Sequence, residues 1–270
     1  MSGFSIDWLD LREAADRRAR DKALRDQAIE WLEAGVAPHQ NPVVVDLGAG
    51  TGSTLRALTS PEQQPLTWRL VDNDAALLDE AERRHGETHR IEPCKADLAL
   101  LTSLPLEGAR LITASALFDL VSEDFLDALA TKLKALSQQH PVGLYAALNY
   151  DGTTHWTPHH PLDDAVLAAF NQDQRTDKGF GPALGPDSGA VLQRLFTQVG
   201  FKVYSASSPW VLDGADQAMV TELITGIAGA VADNPDIEAS ELEDWVQFRL
   251  SNVSTGTCTV GHTDVLALPA

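Results

Sequence analysis

Residues 43–53 read Val43-Val44-Val45-Asp46-Leu47-Gly48-Ala49-Gly50-Thr51-Gly52-Ser53. The branched apolar run has the composition of a strand buried on both faces of a parallel sheet, and glycines at every second position follow it directly. Glycine reaches backbone angles closed to other residues and carries no side chain. The chain can therefore turn sharply here and bring its backbone close to a ligand at the start of the next helix. A nucleotide or nucleoside site is expected; the plainer reading is a tight strand-to-helix turn that holds nothing.

Outward from this run, short apolar segments alternate with helical ones. Strands are expected at 43–47, 67–71, 91–95, 111–114 and 143–148, and helices near 54–58, 75–85 and 123–136. Such alternation builds a parallel sheet covered by helices on both faces. The helix from Glu123 opens on two acids and carries Lys132 and Lys134 near its end, in accord with its macrodipole. Upstream, Trp8, Leu11, Ala15 and Ala19, then Leu24, Ala28, Trp31 and Leu32, recur at helical spacing, with Gly35 and Pro38 as a stop. One or two amphipathic helices should precede the core. After Asn149 a stretch at 151–186, rich in Gly, Pro, His and Asp, is too long for an ordinary connection. A helix at 188–199, a strand at 201–205, helices around 217–231 and 238–250, and a last strand at 257–268 interrupted at Gly261 complete the pattern. The expected organisation is a helical segment at 1–40 and one domain at 41–270, with insertions at 151–187 and 209–256 forming a substrate cap.

Two details narrow the ligand. The dinucleotide pattern G-x-G-x-x-G needs glycine at position 53, where this chain has Ser53. Asp46 at the strand end would face a pyrophosphate unfavourably and suits a ligand carrying an ammonium group and a sulfonium. On these residues the chain resembles the class I S-adenosylmethionine-dependent methyltransferases, whose first motif is an acidic residue followed by G-x-G-x-G. Further motifs follow in order. Asp72 ends the second strand in Leu70-Val71-Asp72-Asn73-Asp74, 22 residues beyond Gly50, and the resemblance assigns it to the ribose hydroxyls. Asp74 has a plainer role as a helix cap. Asp97, in Lys95-Ala96-Asp97-Leu98, matches the residue that accepts the adenine amino group, or forms a turn. The segment Ser115-Ala116-Leu117-Phe118-Asp119-Leu120 looks like the one beside the methionine moiety in small-molecule methyltransferases, and it lacks the [DN]-P-P-[YF] motif of amino-methylating DNA enzymes.

The resemblance thus implies S-adenosylmethionine as cofactor, held by Asp46, Gly48, Ala49, Gly50, Gly52, Asp72, Asn73, Ala96, Asp97, Leu98 and Ser115. It also implies an α/β fold: a Rossmann-like seven-stranded sheet in the order 3-2-1-4-5-7-6, with the last strand antiparallel and helical cap insertions.

Charge and composition limit the partners. Lys and Arg number 20 against 39 Asp and Glu, and the formal charge of −19 repels phosphate backbones and anionic headgroups. Nucleic acid and membrane surfaces are not expected, and a small-molecule acceptor is. No apolar run approaches the ~18 residues of a spanning helix, and the amino terminus lacks the apolar core of a signal peptide, so a cytoplasmic location is expected. Cys94 and Cys258 stand far apart without CxxC spacing, which indicates neither a disulfide nor a thiolate zinc site.

His155, His159 and His160 lie near Trp156 and Asp163, but Pro158 and Pro161 argue against a helix that would align them, so no metal is expected. With Asp119, which could instead cap the next helix, they are the candidate catalytic residues. Arg12, Asp16 and Arg17 sit on the amino-terminal helical segment, which in many members of the family it resembles closes over the cofactor, though a surface role is expected for each of them. The alternating charge of Asp173, Arg175, Asp177 and Lys178 before Gly179 to Gly185 usually marks a solvated face. The expected activity is methyl transfer to a small organic molecule by in-line displacement, the protein orienting the reactants and excluding water. The alternatives are a non-catalytic protein that keeps the cofactor site, and an NAD-dependent oxidoreductase, which Ser53 and Asp46 disfavour.

Overall fold

The computed structural model describes residues 4–34, 41–60 and 65–270. Two helices lead in, α1 (Ile6–Ala19) and α2 (Lys22–Glu33). Ser5 accepts from the Trp8 amide and Asp21 from the Leu24 amide, so a short polar side chain caps each helix and the break between them falls at Arg20. The stop expected at Gly35 and Pro38 lies outside the described residues.

The run that ends in glycines forms β1 (Val43–Leu47). The alternation continues through α3 (Ser53–Leu58), β2 (Thr67–Asp72), α4 (Ala75–His85), β3 (Arg90–Lys95), β4 (Ala109–Ser115), α5 (Glu123–Ser137) and β5 (Gly143–Thr157). After α6 (Asp163–Asp173) and α7 (Ser188–Gln198) come β6 (Phe201–Ser207), β7 (Trp210–Leu212), α8 (Gln217–Val231), α9 (Ala239–Ser251) and β8 (Thr257–Pro269). The sheet order is β3-β2-β1-β4-β5-β8-β6, with β8 antiparallel to both neighbours. This is the expected order with one correction: β7 pairs with β8, so the sheet has eight strands rather than seven.

Alternate residues of the central strands serve opposite faces, as the pleat requires. Val45, Ile112 and Leu144 pack with Leu126, Leu129 and Leu192 of α5 and α7, whereas Val44, Leu111 and Tyr145 pack with Leu24, Ala28 and Leu78 of α2 and α4.

β5 departs from the sequence reading. It runs for 15 residues, through a stretch expected to be loop. Its pairing with β8 shifts register on either side of Asn149 and Tyr150, and Leu148 takes a φ of +57° at the bend. The strand then resumes from Thr154 opposite Val260 to Thr157 opposite Thr257. Gly261, expected to interrupt β8, lies within it. Asp151 Oδ1 and Thr153 Oγ1 approach to 2.2 and 2.0 Å of where a Cβ would stand, so the bulge of β5 fits against the bare glycine.

The helices α6, α8 and α9 gather on this extension around Val166, Ile224 and Trp245. At their centre Arg249 donates to the Pro158 carbonyl at 2.7 Å and pairs with Asp163, which also accepts from Trp245 Nε1 at 2.8 Å. Among the described residues, no helix is long and apolar enough to cross a membrane.

Asp264 of β8 is fully buried and accepts four hydrogen bonds. Leu148 N (2.8 Å) and Ser208 Oγ (2.7 Å) donate to Oδ1; Asp21 N (2.9 Å) and Tyr145 OH (3.2 Å) donate to Oδ2. A carboxylate out of water persists only when its lone pairs are occupied in this way. We expect Asp264→Ala, which orphans two backbone amides and two hydroxyls, to lose about 3 kcal/mol or more in urea unfolding, with Asp264→Asn intermediate. Wild-type stability in the alanine variant would show that this network does not hold the bend.

Candidate active site

The carboxyl ends of β1, β2 and β4 open on a cavity of about 150 Å³, walled on one side by α1. Gly48, Gly50 and Gly52 have φ of +66°, +52° and +88°, the left-handed region that favours glycine. A Cβ on Gly50 would stand 3.0 Å from Leu9 Cδ1, so α1 crosses close over the turn through that side chain. The turn's amides are largely committed. Those of Gly48 and Ala49 donate to the Val71 carbonyl, that of Gly52 to Ala49, and that of Gly50 to Asp72 Oδ2 at 2.9 Å.

Asp72 Oδ1 accepts from the Asp74 amide at 3.0 Å, which leaves each carboxylate oxygen a second lone pair in a residue that lines the cavity. Asp74 caps α4 by accepting from Ala76 N at 2.8 Å, and Asp97 closes a turn by accepting from Ala99 N at 3.0 Å; both also line the cavity.

Of the expected cofactor residues, Gly48, Ala49, Gly50, Asp72, Asn73, Asp97, Leu98 and Ser115 line the cavity, and Asp46, Gly52 and Ala96 do not. Gly52 packs beneath the turn against His85, and Ala96 donates its amide to the Asp72 carbonyl. Asp46 is 1% exposed; Thr113 Oγ1 donates to its Oδ1 at 2.7 Å, and its Oδ2 has no partner among the described residues. Burial pushes this carboxyl up to about 7, against the opposing pull of the Thr113 hydrogen bond and the Arg20 charge.

Helix α1 supplies residues that the sequence reading missed. Arg12 and Asp16, expected on the surface, are buried, while Arg17 is exposed. Arg20 is also buried, and donates to Ser53 Oγ at 3.2 Å and Ser115 Oγ at 3.0 Å, placing a cation behind two hydroxyl-bearing residues that line the cavity. A signal was available: positions 12, 16 and 20 recur every fourth residue, which puts them on one helix face. Glu13 lines the cavity too, and Arg56 of α3 ties it to the glycine turn by donating to Glu13 Oε1 (2.7 Å) and to the Thr51 carbonyl (2.6 Å). His85 packs at the same junction, its pKa lowered by burial and by the Arg56 charge.

The candidate catalytic residues are not gathered with these. Asp119 is buried and does not line the cavity, although Leu117 and Leu120 near it in sequence do; its Oδ1 has no partner among the described residues, and burial raises its pKa to about 6. None of the three histidines lines the cavity. His155 is exposed on the outer half of β5, His159 is exposed with Nδ1 3.3 Å from Asp163, and His160 accepts from the Leu162 amide at 3.2 Å while its ring packs on Phe248. Among the described residues, no three His, Cys, Asp or Glu side chains are grouped to hold a metal ion. Gly179 and Phe180, in the segment 151–187 expected as part of a substrate cap, reach the cavity.

No family model and no curated protein matches the chain. Solved structures do. The cyclopropane synthase MmaA2 from Mycobacterium tuberculosis aligns over 98% of this chain and 94% of its own, with a TM-score of 0.52 at 15% identity. The YcgJ protein from Bacillus subtilis aligns over 92% of this chain and 99% of its own, with a TM-score of 0.50 at 16% identity. BH2331 from Bacillus halodurans C-125 covers 90% of this chain and 100% of its own, at 0.50 and 14%. Together with the strand order, these likenesses show that the chain has the fold of the class I S-adenosylmethionine-dependent methyltransferases.

Proposed function

We propose that the chain binds S-adenosylmethionine and transfers its methyl group to a small molecule. The observation that carries this reading is the cavity's charge: Glu13, Asp16, Asp72, Asp74 and Asp97 all line it, beside a glycine turn whose amides are mostly taken by protein acceptors. Such a site repels a pyrophosphate and attracts a ligand that carries a sulfonium and an ammonium group. A dinucleotide oxidoreductase is correspondingly disfavoured.

On this reading the free lone pairs of Asp72 take the ribose hydroxyls and Asp97 takes the adenine amino group. Ser115, with Arg20 behind it, faces the methionine end. When bound, the cofactor supplies a methyl group on positively charged sulfur, open to in-line attack. The protein's part is orientation and exclusion of water, for which α1 on one side and Phe180 on the other provide apolar cover through Leu9 and the phenyl ring. We assign the segments 151–187 and 209–256 to the wall of the acceptor side, since Gly179 and Phe180 reach the cavity and Trp210 contacts Asp16.

Calorimetry with S-adenosylmethionine and S-adenosylhomocysteine, against NAD as control, tests the cofactor. Formation of S-adenosylhomocysteine with candidate acceptors separates an enzyme from a binding protein. Asp72→Ala removes hydrogen bonds to a charged group and should weaken S-adenosylhomocysteine by roughly one to two decades; unchanged affinity in a folded variant removes Asp72 from the site.

Asp46 gives a pH test. Its folded pKa of about 7 lies above the unfolded value, so the protonated form suits the fold. Ionisation costs nothing below pH ~4, and the penalty grows as pH rises to ~7. Asp46→Asn should therefore match wild type near pH 4 and exceed it at pH 8 in urea unfolding of the unliganded protein, by up to about 4 kcal/mol. Binding a cation above Asp46 favours its carboxylate, so wild-type affinity for S-adenosylmethionine should rise through pH 6 to 8 and the variant's should stay flat. A pH-independent difference between the two would remove Asp46 as the titrating group.

A further inference from the structure

Arg12 is the one cation among the described residues that line the cavity. Its Nε donates to Asp16 Oδ2 at 2.9 Å, Asp16 Oδ1 is fixed by Trp210 Nε1 at 2.9 Å, and the guanidinium lies over the Trp210 ring, 5.1 Å from its centroid. These contacts occupy one edge of the fork. Neither terminal nitrogen has a hydrogen-bond partner among the described residues, and neither is sealed among the buried orphan atoms that include Asp119 Oδ1 and His262 Nδ1. A guanidinium held rigidly from behind, with its outer N–H groups open to a largely apolar pocket, is shaped for a planar oxyanion.

Its place in the fold says whose oxyanion. Arg12 lies against Trp210 of β7, and its charge reaches His262 of β8 and Asp119 in the segment after β4. This is the side of the sheet away from Asp72 and Asp97, which end β2 and follow β3. Arg20, by contrast, stands against Ser53 and Ser115 beside the glycine turn, where the methionine end of the cofactor would lie. The nearby acids leave the fork open: Asp16 is committed to Nε and to Trp210, Glu13 is tied to Arg56, and Asp119, which feels the Arg12 charge, makes no hydrogen bond to it and does not line the cavity.

We propose that Arg12 anchors a carboxylate carried by the methyl acceptor, so that the substrate class is a small apolar carboxylic acid whose hydrocarbon part rests on Leu117, Leu120 and Phe180. The assignment rests on the methyltransferase reading. The overall charge opposes anions in general, so what admits this one is a single oriented guanidinium with two open nitrogens.

The test uses the full chain saturated with S-adenosylhomocysteine and titrated with hexanoate, benzoate and phenylacetate, and with the three matching amides, followed by saturation-transfer NMR. At least one acid should bind the wild type at least tenfold more tightly than its amide. Arg12→Met should lose that preference and keep its affinity for S-adenosylhomocysteine, which also reports that the variant is folded. Arg12→Gln, which keeps a donor for Asp16, serves if the methionine variant does not fold. Wild type that binds no acid, or acids and amides alike, overturns the assignment, and so does a folded variant that keeps the preference. A variant that binds 5′-methylthioadenosine normally but S-adenosylhomocysteine weakly would place Arg12 on the cofactor's own carboxylate and equally overturn it. Wild type that binds no S-adenosylhomocysteine removes the methyltransferase reading and this assignment with it; normal cofactor binding without an acid preference removes this assignment alone.

Discussion

The carboxylate of Asp264 is the point to which the rest of the molecule is tied. Each of its four donors comes from a different place: the α1–α2 break, the bend of β5, the body of β5 and the turn before β7. Because the Asp21 amide is one of them, the neighbouring Arg20 is held where it meets Ser53 and Ser115. Because the Leu148 amide is another, β5 changes register there and continues outward to carry the cap helices. One buried acceptor thus sets both the floor of the cavity and the direction of the strand beside it. The geometry follows from satisfying hydrogen bonds in a place without water.

Helix α1 is held by polar contacts of unequal weight. Arg18 with Asp216 and Arg84 with Asp10 join partly exposed side chains, and such pairs contribute little individually in solvent. The pairs nearer the cavity are different. Arg12 with Asp16 is enclosed, and Asp16 takes a further hydrogen bond from Trp210, so the geometry is fixed even where the net free energy is small. What these contacts supply is position, and position is what a site whose charged lining residues are otherwise all carboxylates requires of its one cation.

The central sheet was legible because its strands are buried on both faces and write themselves as continuous apolar runs ended by glycine or aspartate. Asp72 was legible for the same reason, since it ends such a run; Asp97 follows the half-exposed edge strand Arg90–Lys95 and was legible only by its order after the other motifs of the resemblance. The outer half of β5 was not. Asp151-Gly152-Thr153-Thr154-His155 has the composition of a turn, and the strand continues through it only because β8, far along the chain, pairs again from Thr154. The three histidines invite chemistry by residue type, yet His155 sits on the outer half of β5 and His159 and His160 in the turn that leads into α6, and type alone does not say which way a segment leaves the sheet. The inward face of α1 was readable in principle from the four-residue spacing of Arg12, Asp16 and Arg20, but charged helical faces ordinarily meet solvent. Only the packing of α1 across the glycine turn reverses that expectation.

Asp21 and Asp264, joined by a single hydrogen bond, stand 243 residues apart in sequence. A contact of that span closes slowly, since the entropy of the intervening chain must be given up before the contact forms. On the ribosome the glycine turn and the acids of β2 and β3 emerge while the segment that fixes α1 against them has yet to be synthesised. The ligand-binding parts are made early and their wall is locked late. Occupancy of this cavity is accordingly a property of the finished chain, and a nascent or carboxyl-terminally truncated one, lacking residue 264, has the motif without the site.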